Sequence, residues 1–112
     1  MRHRREAGDS LRPDLVLPER LDVSDVAEVR YALEVAVDLG VGDVVLDCQQ
    51  VTVVDTAGLG VLVAAHRRCL QQGRRLVLLD PQPRLLRILA VTRLHRVLFV
   101  YRQRPDRVGA GA

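Results

Sequence analysis

The sequence contains no lysine, and all 17 of its basic residues are arginine. That absence removes Schiff-base chemistry, lysine general bases and the phosphate-reading lysine of a P-loop. Tryptophan is missing too, and one Phe and two Tyr provide no aromatic platform on which single-stranded bases could stack. Cys48 and Cys69 are the only thiols, too few and too ordinarily placed for a disulfide framework, and both are expected to be reduced. His66 and Cys69 stand three apart on a helix-like run, but two ligands without a third or fourth make a poor metal site. No metal and no cofactor are expected. No apolar stretch approaches the roughly 18 residues needed to span a bilayer. The N-terminal "MRHRREAGDS" has charge without the apolar segment of a secretory signal. A soluble, cytoplasmic protein is therefore expected.

What is present fits one compact domain: 112 residues, 48% hydrophobic and 28% charged, enough for one core but not two. The net charge of +3 does not form a nucleic-acid footprint. Arg2, Arg4 and Arg5 lie at one end and Arg102, Arg104 and Arg107 at the other, in segments that read as solvated tails. Inside the chain, Arg67, Arg68, Arg74 and Arg75 interrupt apolar runs at helical and turn positions without making one basic stripe. The expected organisation is a flexible charged tail over 1–14, a domain over 15–103 and a second flexible tail over 104–112.

The apolar spacing orders the elements. Leu15 and Leu17 alternate before Pro18 forbids further ladder pairing, which predicts a short edge strand. Ser24 or Asp25 is placed to cap a helix with apolar positions Val26, Val29, Leu33 and Val37, ending near Gly40 and Gly42. "DVVLDC" reads as a buried strand, and "QQVTVVD" as an extended connection to a second helix carrying Leu59, Leu62, Val63 and Leu70, closed by Gly73. "RRLVLLD" is a second buried strand. Pro81 and Pro83 suit the start of a third helix with Leu85, Leu86, Ile88 and Leu89 on its apolar face, and "VLFVY" is a last strand. Alternation of strand and helix predicts an α/β fold with right-handed crossovers and parallel pairs.

The most informative stretch is "VVDTAGLGVL", residues 53–62. Thr56 at or just before a helix start can accept an orphan backbone N–H, and Asp55 suits the positive end of the helix dipole. Helix capping alone would account for both. Gly58 and Gly60, however, cost about 1 kcal/mol each relative to alanine in a helix, so something is expected to approach that backbone closely. Nucleotide-loop readings fail, because "GLG" supplies neither a P-loop nor the three glycines of a dinucleotide fingerprint. A hydrolytic role for Thr56 lacks a base, since His66 is about three helical turns away.

"VVDTAGLGVLVAAHRR", preceded by "VVLDCQQVTV" and followed by "GRRLVLLDPQPRLLRILAVTRL", resembles the STAS domain, the fold of bacterial anti-sigma factor antagonists. The resemblance covers roughly residues 15–101, and "ERLDV" looks like that family's Gly-Glu-Leu-Asp segment, with Leu21 and Asp22 retained. It implies an α/β, STAS-like mixed sheet with covering helices, here lacking the first strand and the last helix. An open sheet edge would invite pairing with a second chain. Arg93 stands where the family commonly has glycine.

By the same resemblance Thr56 is the phosphoacceptor, and Asp22, Asp55, Thr56, Ala57, Gly58, Leu59 and Gly60 form the partner-binding site. The implied function is a non-enzymatic anti-sigma factor antagonist in a bacterium, regulating transcription indirectly. Its partner would be an anti-sigma factor with a histidine-kinase-like ATPase fold, and phosphorylation would end the binding. Neither direct nucleic-acid nor membrane contact is implied. The alternative is a STAS subunit of a lipid-transport ABC system that binds its ATPase without a phosphate cycle. A phosphate on Thr56 would add about −1.5 to −2 charges, with the helix N-terminus expected to supply donors for it.

Overall fold

The computed structural model describes residues 11–103. Residues 1–10 of the first expected tail and all of the second lie outside that range, as do the segments in which a first strand and a last helix would have to be sought. The expected tail over 1–14 is engaged with the fold at its described end. The Asp14 N–H donates to the Val45 carbonyl at 2.7 Å, and the Val45 N–H donates back to Asp14 Oδ2 at 2.7 Å. Leu11 donates its N–H to Gln103 Oε1.

Strands and helices alternate as β1 (Leu15–Val16), β2 (Arg20–Leu21), α1 (Val26–Asp38), β3 (Val44–Asp47), β4 (Val53–Val54) and α2 (Thr56–Gln71). These are followed by β5 (Leu76–Leu79), α3 (Pro83–Val91), a 3-10 turn at Leu94–Arg96 and β6 (Phe99–Tyr101). One sheet has the order β1-β3-β5-β6 and a second consists of β2 and β4. Every pairing among the described residues is parallel. The order places β1 at an edge, as the proline after Leu17 requires.

The uninterrupted apolar runs of β3 and β5 are explained by burial on both faces. Val44, Leu46, Leu76 and Leu78 point into the main core with Val29, Leu33 and Val37 of α1, Leu62 and Cys69 of α2, and Leu85 and Leu89 of α3. Val45, Val77 and Leu79 form a separate cluster on the other face, against which Leu11 packs. Each fully buried aliphatic side chain contributes about 1.5–3 kcal/mol of transfer free energy, so the sheet and its helices form one cooperative unit.

Three arginines that interrupt the apolar runs have structural work. Arg74, 8% exposed, donates to the carbonyls of Val37, Leu39 and Gly42, satisfying carbonyls that the end of α1 leaves open. Arg68 makes a two-pronged contact with Asp38, and Gln72 also donates to that carboxylate. Arg75 pairs with Asp43 at 2.9 Å and lies over the Phe99 ring at 4.2 Å. Helix α2 closes with Gly73 at φ 68°. Gly73 N–H donates to the Leu70 carbonyl and Arg74 N–H to the Cys69 carbonyl, the paired bonds of a Schellman motif.

One cap differs from expectation. Asp25 occupies the position before α1, but neither it nor Ser24 makes a side-chain cap bond there. Asp22 holds this turn instead, accepting the Ser24 N–H at Oδ1 and the Asp25 N–H at its main-chain carbonyl.

Candidate functional site

The small β2–β4 sheet builds the site. Leu21 pairs with Val54, so Asp22 and Asp55 leave adjacent parallel strands side by side. Asp55 then caps α2 from an extended conformation: Oδ1 accepts the Gly58 N–H at 2.9 Å and Oδ2 accepts the Val23 N–H at 3.1 Å. The Asp55 N–H donates to the Leu21 carbonyl at 3.3 Å. Hydrogen bonding from Gly58 foremost, with Val23 and Ala57 contributing, lowers the Asp55 pKa below the usual carboxylate value. The sequence suggested Thr56 as the capping oxygen. The cap is Asp55, and Thr56 is the first residue of the helix, exposed.

The seven expected site residues come together at this end of α2, at different depths. Asp55, Thr56 and Gly60 are exposed, while Ala57 and Leu59 are half-buried and Leu59 packs on the core. Asp22 is 6% exposed and accepts from Arg20 at 2.7 Å, so it orders the loop from beneath. Gly58 is buried against the main chain of Leu21, where no Cβ fits. The close approach expected at the two glycines is present at one of them, and what approaches is part of the same chain. Gly58 is needed for the approach of the protein's own β2. Only Gly60 faces open space, since a Cβ there would meet nothing within 4 Å.

Arg20 and Val23 are the residues that sequence reasoning missed. Val23, 71% exposed, is tied by its N–H to Asp55 and belongs to the same surface. The signal available was that "ERLDV" runs on to Val23. The α3 end is fastened to the β3–β4 loop, with Arg84 Nη1 donating to the Thr52 carbonyl at 3.2 Å and Gln82 donating to the Gln49 carbonyl.

The remaining chemistry-bearing groups do not converge here. Cys48 is fully buried and its thiol is pushed up to about 12 by burial; burial also raises Cys69. Such thiols are inert as nucleophiles. Among the described residues no three His, Cys, Asp or Glu side chains come together as a metal cage, and no helix is long and apolar enough to cross a membrane.

The family model described as "Mlab, STAS domain" matches residues 5–101. This chain belongs to the STAS-domain family. Its fold is shared with TM1081 of Thermotoga maritima, proposed to be an anti-sigma factor antagonist. The crystal structure of that protein superposes with a TM-score of 0.70 at 20% identity over 91% of this chain and 88% of that one. Its NMR structure gives a TM-score of 0.68 at 19% identity, over 91% and 85% of the two chains. The unphosphorylated anti-sigma factor antagonist SpoIIAA gives a TM-score of 0.61 at 17% identity, over 91% of this STAS domain and 90% of that chain. No curated protein sequence matches significantly.

Proposed function

We propose that this STAS domain is an anti-sigma factor antagonist whose docking surface is centred on the start of α2 and switched by phosphorylation of Thr56. The observation that carries the reading is the exposure of Thr56 at the first position of α2, immediately after a carboxylate already committed to capping that helix. The likeness to STAS antagonists in fold supports it, and no catalytic step is assigned to the chain.

The switch is electrostatic. A phosphothreonine brings about −1.5 to −2 charges. A helix N-terminus ordinarily offers N–H donors to such a group, but here the Gly58 N–H is taken by Asp55. The added dianion thus stands beside the Asp55 carboxylate with one helix N–H fewer to hold it. A partner packed over Thr56 and Gly60 would have to desolvate that charge, a cost of several kcal/mol. The domain itself need not unfold, because Thr56 makes no side-chain hydrogen bond that phosphorylation would break among the described residues.

The partner in this reading is an anti-sigma factor with a histidine-kinase-like ATPase fold, acting in the cytoplasm of a bacterium. Self-association along the outer edge of β1 is part of the same proposal. Among the described residues that edge is Leu15–Val16 alone before Pro18, so pairing there is weak. Calorimetric titration of cognate anti-sigma kinases tests the main claim. Thr56→Ala retains binding and Thr56→Glu loses at least about tenfold, equivalent to 1.4 kcal/mol; equal binding by both variants contradicts the switch.

A second reading is a STAS subunit of a lipid-transport ABC system that binds its ATPase without a phosphate cycle. It is favoured by the Mlab description of the matching family model and by the capping of α2 by Asp55, which needs no phosphate. Under that reading the domain co-purifies with a membrane-bound ATPase and takes up no phosphate.

A further inference from the structure

A groove away from the Thr56 end of α2 is lined by side chains that the proposed switch does not use, and its floor is the outer edge of the core. It lies between α1 and α2, encloses about 280 Å³, and has an aliphatic floor that includes Leu33, Val61 and Ala64. Arg30 and Glu34 of α1 and Arg67 and Arg68 of α2 stand at its rim.

The rim arginines are not equivalent. Arg68 is committed to Asp38 through Nε at 2.9 Å and Nη2 at 2.7 Å. Arg30 and Arg67 are exposed and make no hydrogen bond or ion pair among the described residues. Glu34 is the one rim carboxylate, so the groove mouth carries an excess of positive charge. Ala64 is exposed at the same place and supplies the open aliphatic surface of the floor, beside which Leu33 and Val61 are buried.

We propose that this groove docks an acidic, aliphatic segment of a partner protein, with an aliphatic side chain on the floor and carboxylates against Arg30 and Arg67. Guanidinium groups bind carboxylates in a two-pronged, planar geometry, which makes a free pair of them selective for acidic sequence rather than merely attractive. The floor decides between acidic protein and nucleic acid. It offers the aliphatic surface of Ala64 and no aromatic ring on which a base could stack. Val61, Ala64 and Arg68 follow one another along one flank of α2, more than a turn beyond Thr56. The groove therefore holds its occupant whether or not Thr56 carries a phosphate, and the inference goes beyond the switch.

Titration of the isotope-labelled full chain with the peptide Ac-ELEELLEE-NH2, followed by amide NMR shifts, tests this. Saturable shifts are expected at groove residues of α1 and α2. Loss of the two rim contacts in the double variant R30E/R67E weakens the peptide about tenfold, with R30Q/R67Q as the milder pair. Ala64→Leu, which fills the floor and keeps every charge, also blocks binding, whereas Thr56→Glu leaves it unchanged. The proposal is overturned if no saturable shifts appear in the groove or if Ac-KLKKLLKK-NH2 binds as well. It is also overturned if Ala64→Leu binds undiminished, or if a single-stranded oligonucleotide occupies the same amides more tightly than the acidic peptide. None of these outcomes bears on phosphoryl transfer to Thr56, so the two claims fail separately.

Discussion

A Cβ built on Gly58 would lie 1.9 Å from the carbonyl oxygen of Leu21. This contact fixes the start of α2 against β2 and keeps Asp55 and Thr56 at the surface. Alanine at position 58 must push main chain away from main chain, with a cost of about 3 kcal/mol. Gly60→Ala behaves in the opposite way, because its Cβ meets nothing within 4 Å and the helix gains roughly 0.5–1 kcal/mol. Urea unfolding of the two variants, one less and one more stable than the parent, checks both signs.

Arg93 has φ 64° at the turn that follows α3. A side chain in the left-handed region costs about 1–2 kcal/mol, partly offset in a glycine variant by the greater freedom of its unfolded chain. Arg93→Gly should raise stability by about 0.5–1 kcal/mol. Thermal unfolding measures it.

Removal of the Arg74 guanidinium leaves the carbonyls of Val37, Leu39 and Gly42 without their shared donor. Arg74→Met should destabilise the domain by about 2–4 kcal/mol. Arg74→Lys should recover only a fraction, since a single ammonium cannot replace the fork that reaches several carbonyls. Hydrogen exchange at the end of α1 will rise before exchange in β3 and β5.

Asp38 sits at about 2, below its ordinary 3.8, held there chiefly by the hydrogen bond from Arg68 and then by Gln72. A carboxylate with a lowered folded-state pKa stabilises the fold above its unfolded value and loses that contribution as pH falls through the folded value. The α1–α2 link should therefore be intact above 3.8 and weaken toward about 2. Asp38→Asn should flatten the acid limb of a stability-against-pH curve across that interval. Asp38 is exposed, so the effect at neutral pH is small and salt-sensitive.

The larger elements were legible because each carries a pattern longer than one turn or one pleat. Val29, Leu33 and Val37 recur at helical spacing, and the apolar runs of β3 and β5 are too short for helices yet buried on both faces. The β2–β4 sheet was not legible. Two residues per strand leave no periodicity, Pro18 forbids ladder pairing after Leu17, and "QQVTVVD" reads as an extended connection. Missing that sheet hid the contact that explains Gly58 and assigned the cap to Thr56 rather than Asp55. Arg74 was equally opaque, since a charged residue between a helix-ending glycine and a strand looks like an exposed turn until the carbonyls of α1 are found around it. The stretch at 55–60 could be recognised as special from composition alone, but which of its residues face outward is a property of what lies against them.

Phosphoryl transfer to one threonine is the central claim, and intact-mass measurement tests it most directly. The full chain is incubated with each cognate anti-sigma factor kinase and magnesium ATP. One kinase is expected to add a single phosphoryl group to the parent chain and none to Thr56→Ala, with the circular dichroism spectrum unchanged by the addition. An unmodified mass with every such kinase, or a phosphoryl group that persists in Thr56→Ala, would contradict it.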